Sequence, residues 1–181
     1  MVRLIWNILR SAAGVMVIAL CVVCAGCIKD EHYTHDDSTK IKVGDIAPDF
    51  TTRLVGGGEV ALSSCRGEVV MLILFSPECP DCHNQFAEMQ RLIAAQTPSF
   101  RLLAVARDGD MAAATQFCEQ YDIGFEVGID PDRTIYNKYA RQYVPRTYIL
   151  SEDGRVEALT IEFDADELHT IWAQAESMAQ K

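Results

Sequence analysis

The stretch EVVMLILFSPECPDC, residues 68–82, joins a nearly continuous apolar run to a pair of cysteines. A run such as residues 68–75 is typical of a central strand that is buried on both faces of a sheet. Residues 80–95 predict a helix, because apolar side chains recur there at helical spacing. The side chains on that helix face are Cys82, Phe86, Met89 and Ile93. The sequence therefore predicts a buried strand followed directly by a Cys-x-x-Cys pair and a helix.

Strand and helix patterns alternate through the rest of the body. Residues 51–62 indicate a β-hairpin, broken at the three glycines of residues 56–58. Further strands are predicted at 100–106, 125–129, 146–150 and 155–161, and further helices at 111–121, 130–141 and 164–178. This order favours an α/β fold with a mixed central β-sheet, helices on both faces and an N-terminal β-hairpin extension. The sequence shows no internal repeat.

Length and charge narrow the possible classes of function. The chain has 181 residues, which favours one domain, and its formal net charge is −10. An acidic body has no electrostatic footprint for nucleic acid, so no nucleic-acid partner is expected. It would also be repelled by anionic lipid headgroups, so any membrane attachment needs an anchor other than charge.

The first 26 residues predict a lipoprotein signal peptide. Arg3 and Arg10 precede the small and apolar residues 11–23, and small residues stand immediately before Cys27. This resembles the bacterial lipobox, which implies cleavage after residue 26 and lipidation of Cys27. An uncleaved transmembrane anchor over residues 11–28 is the alternative. Both interpretations predict that the body lies in the cell envelope, outside the cytoplasm, where disulfide chemistry is possible.

The polar residues 27–42 lack apolar periodicity and predict a flexible tether, so the folded domain is expected at residues 43–181. The Lys-Asp-Glu triplet at residues 29–31 resembles a signal that sends some Gram-negative lipoproteins to the cell surface. His32 and His35 lie in this tether. We expect no metal site there, because two solvated histidines lack a third ligand.

The Cys79-Pro80-Asp81-Cys82 motif has the spacing of a redox-active dithiol. Cys79 is predicted at the helix N-terminus, where free backbone N–H groups and the helix dipole favour a thiolate. The thiolate is the form that attacks disulfides. Cys82 follows about one turn later, so the two sulfurs share a face and can form a bond. Pro80 suits the first helical turn.

Two carboxylates flank the first cysteine. Glu78 precedes Cys79, and Asp81 lies between the two cysteines. Negative charge beside the sulfur disfavours the thiolate, and a less stable reduced form makes the couple more reducing. The sequence therefore predicts a reductase rather than a strong oxidant.

Half of a zinc site is the alternative interpretation of Cys-x-x-Cys. Structural zinc usually takes a second close pair of ligands, and the chain offers only the isolated Cys65, Cys118 and His83. We therefore expect a redox pair with no metal or cofactor. Cys65 and Cys118 are predicted to be small, buried or half-buried side chains rather than a second redox pair.

The body resembles the thioredoxin family. A buried strand, Cys-x-x-Cys at a helix start, and a proline about 60 residues later before a strand hairpin carry this resemblance. Residues 144–147, Val-Pro-Arg-Thr, resemble the family's cis-proline loop, which implies that Pro145 lies against the dithiol and that the Val144 backbone pairs with an extended substrate. The opening at residues 44–50, GDIAPDF, resembles redoxin and TlpA/ResA-like proteins. The resemblance spans roughly residues 42–178.

Two residues depart from that family pattern. Glu78 stands where the family usually has Trp, and Gln85 stands where the TlpA/ResA-like group often has Glu. An amide cannot accept and return a proton. We therefore do not expect Gln85 to give the Cys82 thiol the acid–base assistance that a Glu gives in the related group. We expect His83 to face solvent, and Arg146 to offset the charges of the two acids near the sulfurs.

The leading hypothesis is a thiol–disulfide oxidoreductase that works through a mixed disulfide. The resemblance implies disulfide-containing exported proteins or apocytochromes as substrates, and a membrane-bound thiol as electron donor. A thiol peroxidase is the second hypothesis, because peroxiredoxins share the opening motif and Ser76 lies three residues before Cys79. A redox-inert binding lipoprotein is the third.

Overall fold

A computed structural model describes residues 35–181. The predicted signal peptide, the lipidation of Cys27 and the first part of the predicted tether fall outside these residues. Within the described part of the chain, no helix combines the length and apolar character needed to cross a bilayer.

The centre of the fold is a five-stranded sheet. Its strands are β3 (Val70–Phe75), β4 (Arg101–Arg107), β5 (Glu126–Asp130), β6 (Arg146–Leu150) and β7 (Val156–Ile161), in the order β5-β4-β3-β6-β7. β3, β4 and β5 run parallel to one another, whereas β6 and β7 are antiparallel to their neighbours. Every residue of β3 is buried, as predicted for the central strand.

Helices cover both faces of this sheet. They are α1 (His35–Ser38), α2 (Pro80–Ala95), α3 (Met111–Gln120), α4 (Tyr136–Tyr139) and α5 (Ala165–Ala179). Successive side chains of a strand point to opposite faces. On β6, Thr147 contacts Gln85 of α2, while the Tyr148 ring packs 5.4 Å from the Tyr139 ring of α4. Therefore α2 and α4 lie on opposite faces, and the predicted mixed sheet with helices on both sides is confirmed.

An aromatic cluster holds the cysteine-bearing helix on the sheet. The Phe86 ring of α2 lies 4.7 Å from Phe75, at the end of β3, and 4.9 Å from Phe117 of α3. Such ring pairs are worth about 0.5–1.5 kcal/mol each beyond the area that they bury. On its other side, α2 is joined to α5 by a 2.8 Å contact between Glu88 and His169. These contacts fix the direction of α2 and hence the position of its first residue.

The N-terminal hairpin, β1 (Thr51–Arg53) and β2 (Glu59–Ala61), covers the β5 edge of the sheet. The Thr52 hydroxyl accepts from the Ile129 N–H at 2.9 Å and donates to the Ile129 carbonyl at 2.8 Å. Gly128 allows this close approach, because a Cβ atom there would overlap the Thr52 side chain. The hairpin therefore satisfies edge groups that would otherwise be open to other strands.

The helix predicted over residues 130–141 is much shorter in the structure. Only Tyr136–Tyr139 is helical; Asp130 is the last residue of β5, and residues 131–135 form a turn. The buried Asp130 carboxylate accepts from the N–H groups of Ile135 and Tyr136 at 3.0 and 2.7 Å. Asp130 thus ends β5, and its carboxylate caps the start of α4 five to six residues further along the chain. Its position before Pro131 in the sequence did not reveal this role.

The described part of the predicted tether, residues 35–42, is packed against the domain. Ser38 is fully buried, and the backbone N–H of Lys40 donates to the Tyr139 carbonyl at 3.0 Å. Thr39 forms an isolated bridge with Ala140. The prediction of a flexible segment is therefore corrected over residues 35–42. Sequence periodicity could not show this, because the segment is held by polar contacts rather than by an apolar stripe.

A double-mutant cycle tests the docking of the hairpin. We expect Gly128→Ala to lower the free energy of unfolding by about 1–3 kcal/mol, because the added methyl group overpacks the Thr52 contact. In a Thr52→Ala background the same substitution should cost clearly less. Urea unfolding of the four proteins measures both costs. Equal costs in the two backgrounds would contradict the proposed contact.

Candidate active site

The pairing of β3 with β6 brings two distant segments together. Leu74 lies opposite Arg146 in this antiparallel pair. Residues that follow β3 therefore lie beside residues that precede β6. The first segment leads to Cys79 and the second contains Val144 and Pro145, which are joined by a cis peptide bond. The sheet register thus places the predicted dithiol against the predicted proline loop.

Cys79 occupies the N-cap position of α2, with Pro80 as the first helical residue. Its backbone N–H donates to the Ser76 carbonyl at 3.1 Å, which closes the turn after β3. The side chain is partly exposed, and its Sγ–H donates to the Val144 carbonyl at 3.4 Å. The outer cysteine is therefore accessible and held directly against the loop before β6.

Cys82 lies one turn further along α2 and is completely buried. Its sulfur accepts from the Ser76 N–H at 3.4 Å. Burial raises the pKa of the Cys82 thiol well above its usual value, because the thiolate would lose its hydration. Both residues are free thiols in this structure. The pair thus consists of an accessible sulfur and a buried, protonated one.

The two predicted acids lie at the rim of the dithiol. Glu78 is exposed and Asp81 is half-buried in the first turn of α2. Within the described residues, neither carboxylate has a hydrogen-bond or ion-pair partner. Their predicted effect on the redox couple stays a prediction.

Gln85 lies on the same buried face of α2 as Cys82 and is only 2% exposed. Its amide Nε2 donates to the Thr147 hydroxyl at 2.9 Å. The departure from Glu at this position therefore leaves a neutral amide, tied to β6, where the related group often carries an acid. No carboxylate stands among the groups that shift the Cys82 pKa most strongly.

Two expectations about neighbouring residues are corrected. His83 does not simply face solvent: its Nδ1 lies 2.7 Å from the Tyr121 hydroxyl, and its ring packs 5.1 Å from the Phe117 ring. Arg146 does not extend to the acids near the sulfurs. Its side chain is fully buried, and its contacts are backbone carbonyls and hydroxyl groups. Sequence spacing along one element could not show that α3 would cover His83.

The remaining described cysteines are small core residues. Cys65 is 1% exposed and Cys118 is half-buried, and burial raises the pKa of both thiols. Among residues 35–181, no group of three or more His, Cys, Asp or Glu side chains could hold a metal ion.

Sequence reasoning missed two groups in the site. The Ser76 N–H contacts Cys82, but a backbone donor leaves no trace in residue identity. The Thr147 hydroxyl accepts from Gln85. Its place as the last residue of the Val-Pro-Arg-Thr motif, where strand alternation turns it toward α2, was an available signal.

The model of the AhpC/TSA family matches residues 43–159, about two thirds of the chain. The chain belongs to the AhpC/TSA family. Its sequence is 30% identical over 129 residues to the thiol–disulfide oxidoreductase ResA of Oceanobacillus iheyensis. The aligned region covers 68% of this chain and 67% of that relative.

Two solved structures extend this likeness to the fold. One carries the name of a protein disulfide isomerase from Bacteroides thetaiotaomicron, with a TM-score of 0.72, 28% identity, and coverage of 80% of this chain and 94% of that one. The other carries the name of the thiol:disulfide interchange protein DsbE from Chlorobium tepidum, with a TM-score of 0.66, 25% identity, and coverage of 78% and 100%. The chain is thus a thioredoxin-like thiol–disulfide oxidoreductase of the AhpC/TSA family.

Alkylation tests the asymmetry of the two sulfurs. We expect iodoacetamide to modify Cys79 of the reduced, folded protein much faster than Cys82, because Cys79 is accessible and Cys82 is buried and protonated. Peptide mass mapping over a time course measures both rates. In urea the two rates should converge. Equal rates in the folded protein would contradict the geometry.

Proposed function

We propose that this protein is an extracytoplasmic, lipid-anchored thiol–disulfide oxidoreductase that reduces disulfides of exported proteins. The observation that carries the proposal is the dithiol geometry, in which an accessible Cys79 caps a helix above a buried Cys82. The relative named thiol–disulfide oxidoreductase ResA supports the reaction class. A membrane-bound thiol would return the protein to its reduced form.

The first step is attack by the Cys79 thiolate on one sulfur of a substrate disulfide. A bond forms between Cys79 and that sulfur, the substrate S–S bond breaks, and the leaving thiolate takes up a proton. Val144, held against Cys79, offers its backbone to an extended substrate, as in β-strand addition. The product is a mixed disulfide on Cys79.

The second step is attack by Cys82 on the Cys79 sulfur. The mixed disulfide breaks, the second substrate thiol leaves, and a Cys79–Cys82 disulfide forms. The substrate has then gained two electrons and two protons, and the protein has lost them. Cys82 must lose its proton before it attacks, and its burial makes that loss difficult.

The proposed direction rests on Glu78 and Asp81. Both carboxylates lack an ion-pair partner among the described residues, so no cation paired with them offsets their negative charge. This favours the disulfide form of the protein and hence reduction of the substrate. The proposed location rests on the sequence before residue 35, in particular on Cys27 as the lipidation site.

Insulin reduction and a redox titration test this function. We expect the reduced protein to precipitate insulin with dithiothreitol, and Cys79→Ser to abolish the activity. The reduction potential of the couple should lie below about −200 mV, on the side of thioredoxin rather than of DsbA. Glu78→Gln with Asp81→Asn should make the potential less negative by roughly 10–20 mV, because exposed charges are screened.

The matched control replaces two exposed acids away from the dithiol, Glu59 on β2 and Glu157 near the start of β7, with Gln. The potential of that control should stay unchanged. A potential near that of DsbA would contradict the reducing direction. Peroxide consumption that depends on Cys79, without disulfide reduction, would favour the thiol peroxidase instead. An unchanged Cys79→Ser protein in both assays would favour a redox-inert binding protein.

The neutral Gln85 leads to a prediction about the second step. Without a carboxylate at position 85, release of the mixed disulfide should speed up roughly tenfold per pH unit below the pKa of Cys82. Gln85→Glu supplies a carboxylate that can accept the proton, so it should raise the rate near neutral pH and flatten this pH dependence. Stopped-flow decay of a preformed mixed disulfide measures both.

Gln90→Glu is the control for that substitution, because it adds the same charge on the same helix but beyond the dithiol. It should leave the decay rate unchanged. If both substitutions accelerate the decay equally, the effect is a general one of charge and the proposed role of position 85 fails.

A further inference from the structure

In the loop of residues 142–145, which contains Val144, each backbone carbonyl oxygen accepts a hydrogen bond. The Gln142 carbonyl accepts from Arg146 Nη2 at 2.8 Å and Nε at 3.1 Å. The Tyr143 carbonyl accepts from Arg146 Nε at 3.2 Å and from the Tyr136 hydroxyl at 2.8 Å. The Arg146 guanidinium therefore fixes the two peptide groups immediately before Val144.

The next two carbonyls complete the set. The Val144 carbonyl accepts from the Cys79 thiol at 3.4 Å, and the Pro145 carbonyl accepts from the Glu162 N–H at 2.8 Å. Because the flanking carbonyls are bonded within the domain, only the Val144 carbonyl is directed at the reactive sulfur.

Arg146 is itself held from its far side by the N-terminal segment. Its Nη2 donates to the Ser38 hydroxyl at 2.6 Å, and its Nη1 donates to the Thr39 hydroxyl at 2.9 Å. Both hydroxyls in turn donate to the His35 carbonyl, at 2.8 and 2.6 Å. A fully buried guanidinium needs all its donors satisfied, so these hydroxyls are part of what keeps Arg146 in place.

The same segment contacts both flanks of the loop. The His35 ring packs 4.8 Å from the Tyr143 ring, and its Nε2 lies 2.7 Å from the Glu162 carboxylate. Residues 35–39, the clamp segment, precede the region matched by the family model, which begins at residue 43. The clamp segment is therefore a contribution of this chain beyond the matched family region.

We propose that Arg146 and the clamp segment are positioning elements that hold the Val144 backbone for pairing with an extended polypeptide substrate. The inference rests on the proposed function and deepens it, because it names the chain segment that supports substrate alignment. An extended peptide must meet backbone groups at fixed positions, so a loosened loop weakens its alignment. A small disulfide, which needs only the sulfur, does not use those groups.

The test compares a peptide disulfide with hydroxyethyl disulfide, using the full-length protein in detergent. Ser38→Ala with Thr39→Val removes the two hydroxyls and leaves the guanidinium. We expect kcat/KM for the peptide to fall about tenfold, mainly through KM, while the small disulfide changes less than about twofold. Arg146→Lys, which keeps the charge but loses the planar fork, should show the same selective loss.

The matched control is Ser64→Ala with Thr115→Val. It removes one serine and one threonine hydroxyl that bond backbone carbonyls elsewhere, those of Ala61 and Met111. Neither rate should change by more than about twofold. If Arg146→Lys fails to fold, the Ser38/Thr39 variant carries the test, since it keeps Arg146 and removes only the hydroxyls that hold the guanidinium from its far side.

Two results would overturn the proposal. Equal loss on both substrates would show a general effect on the dithiol or on the fold, and no loss on the peptide would show that the clamp segment is not needed. If the unmodified protein reduces neither disulfide, the proposed function itself fails, which is a separate outcome.

Discussion

The site depends on one geometric constraint, the antiparallel register of β6 against the buried strand β3. With Leu74 opposite Arg146, the chain leaving β3 and the chain entering β6 meet at the same sheet edge. Cys79 caps the helix that follows the first strand, and Val144 precedes the second. The 3.4 Å contact between the Cys79 thiol and the Val144 carbonyl is the local result of that pairing. A shift in register would move the whole loop relative to the sulfur.

Burial divides the chemistry between the two cysteines. The partly exposed sulfur can meet a substrate, whereas the buried one can only meet its neighbour. That arrangement protects Cys82 from outside reagents and makes loss of its proton the difficult event. Gln85 does not ease the loss of that proton, because its amide is hydrogen-bonded to Thr147 and is neither an acid nor a base. In the proposed mechanism, substrate capture and substrate release therefore depend on different groups.

The sequence predicted much of the fold because local patterns and tertiary packing agree there. The continuous apolar run of β3 and the stripe of Leu168, Ile171, Trp172 and Ala175 on α5 behave as their periodicity indicates. The failures share a cause, since they involve polar contacts that no apolar periodicity reports. Asp130 capping α4, His83 beneath Tyr121, and Arg146 bonded to Ser38 leave no periodic signal. Each depends on where the fold places a partner.

Cys79 alone should form the covalent bond with substrate, and trapping the covalent species tests this most directly. Cys82→Ala protein would be incubated with a peptide disulfide, and the adduct would be located by mass mapping. We expect one stable adduct, on Cys79. An adduct mainly on Cys65 or Cys118, or no adduct at all, would contradict it.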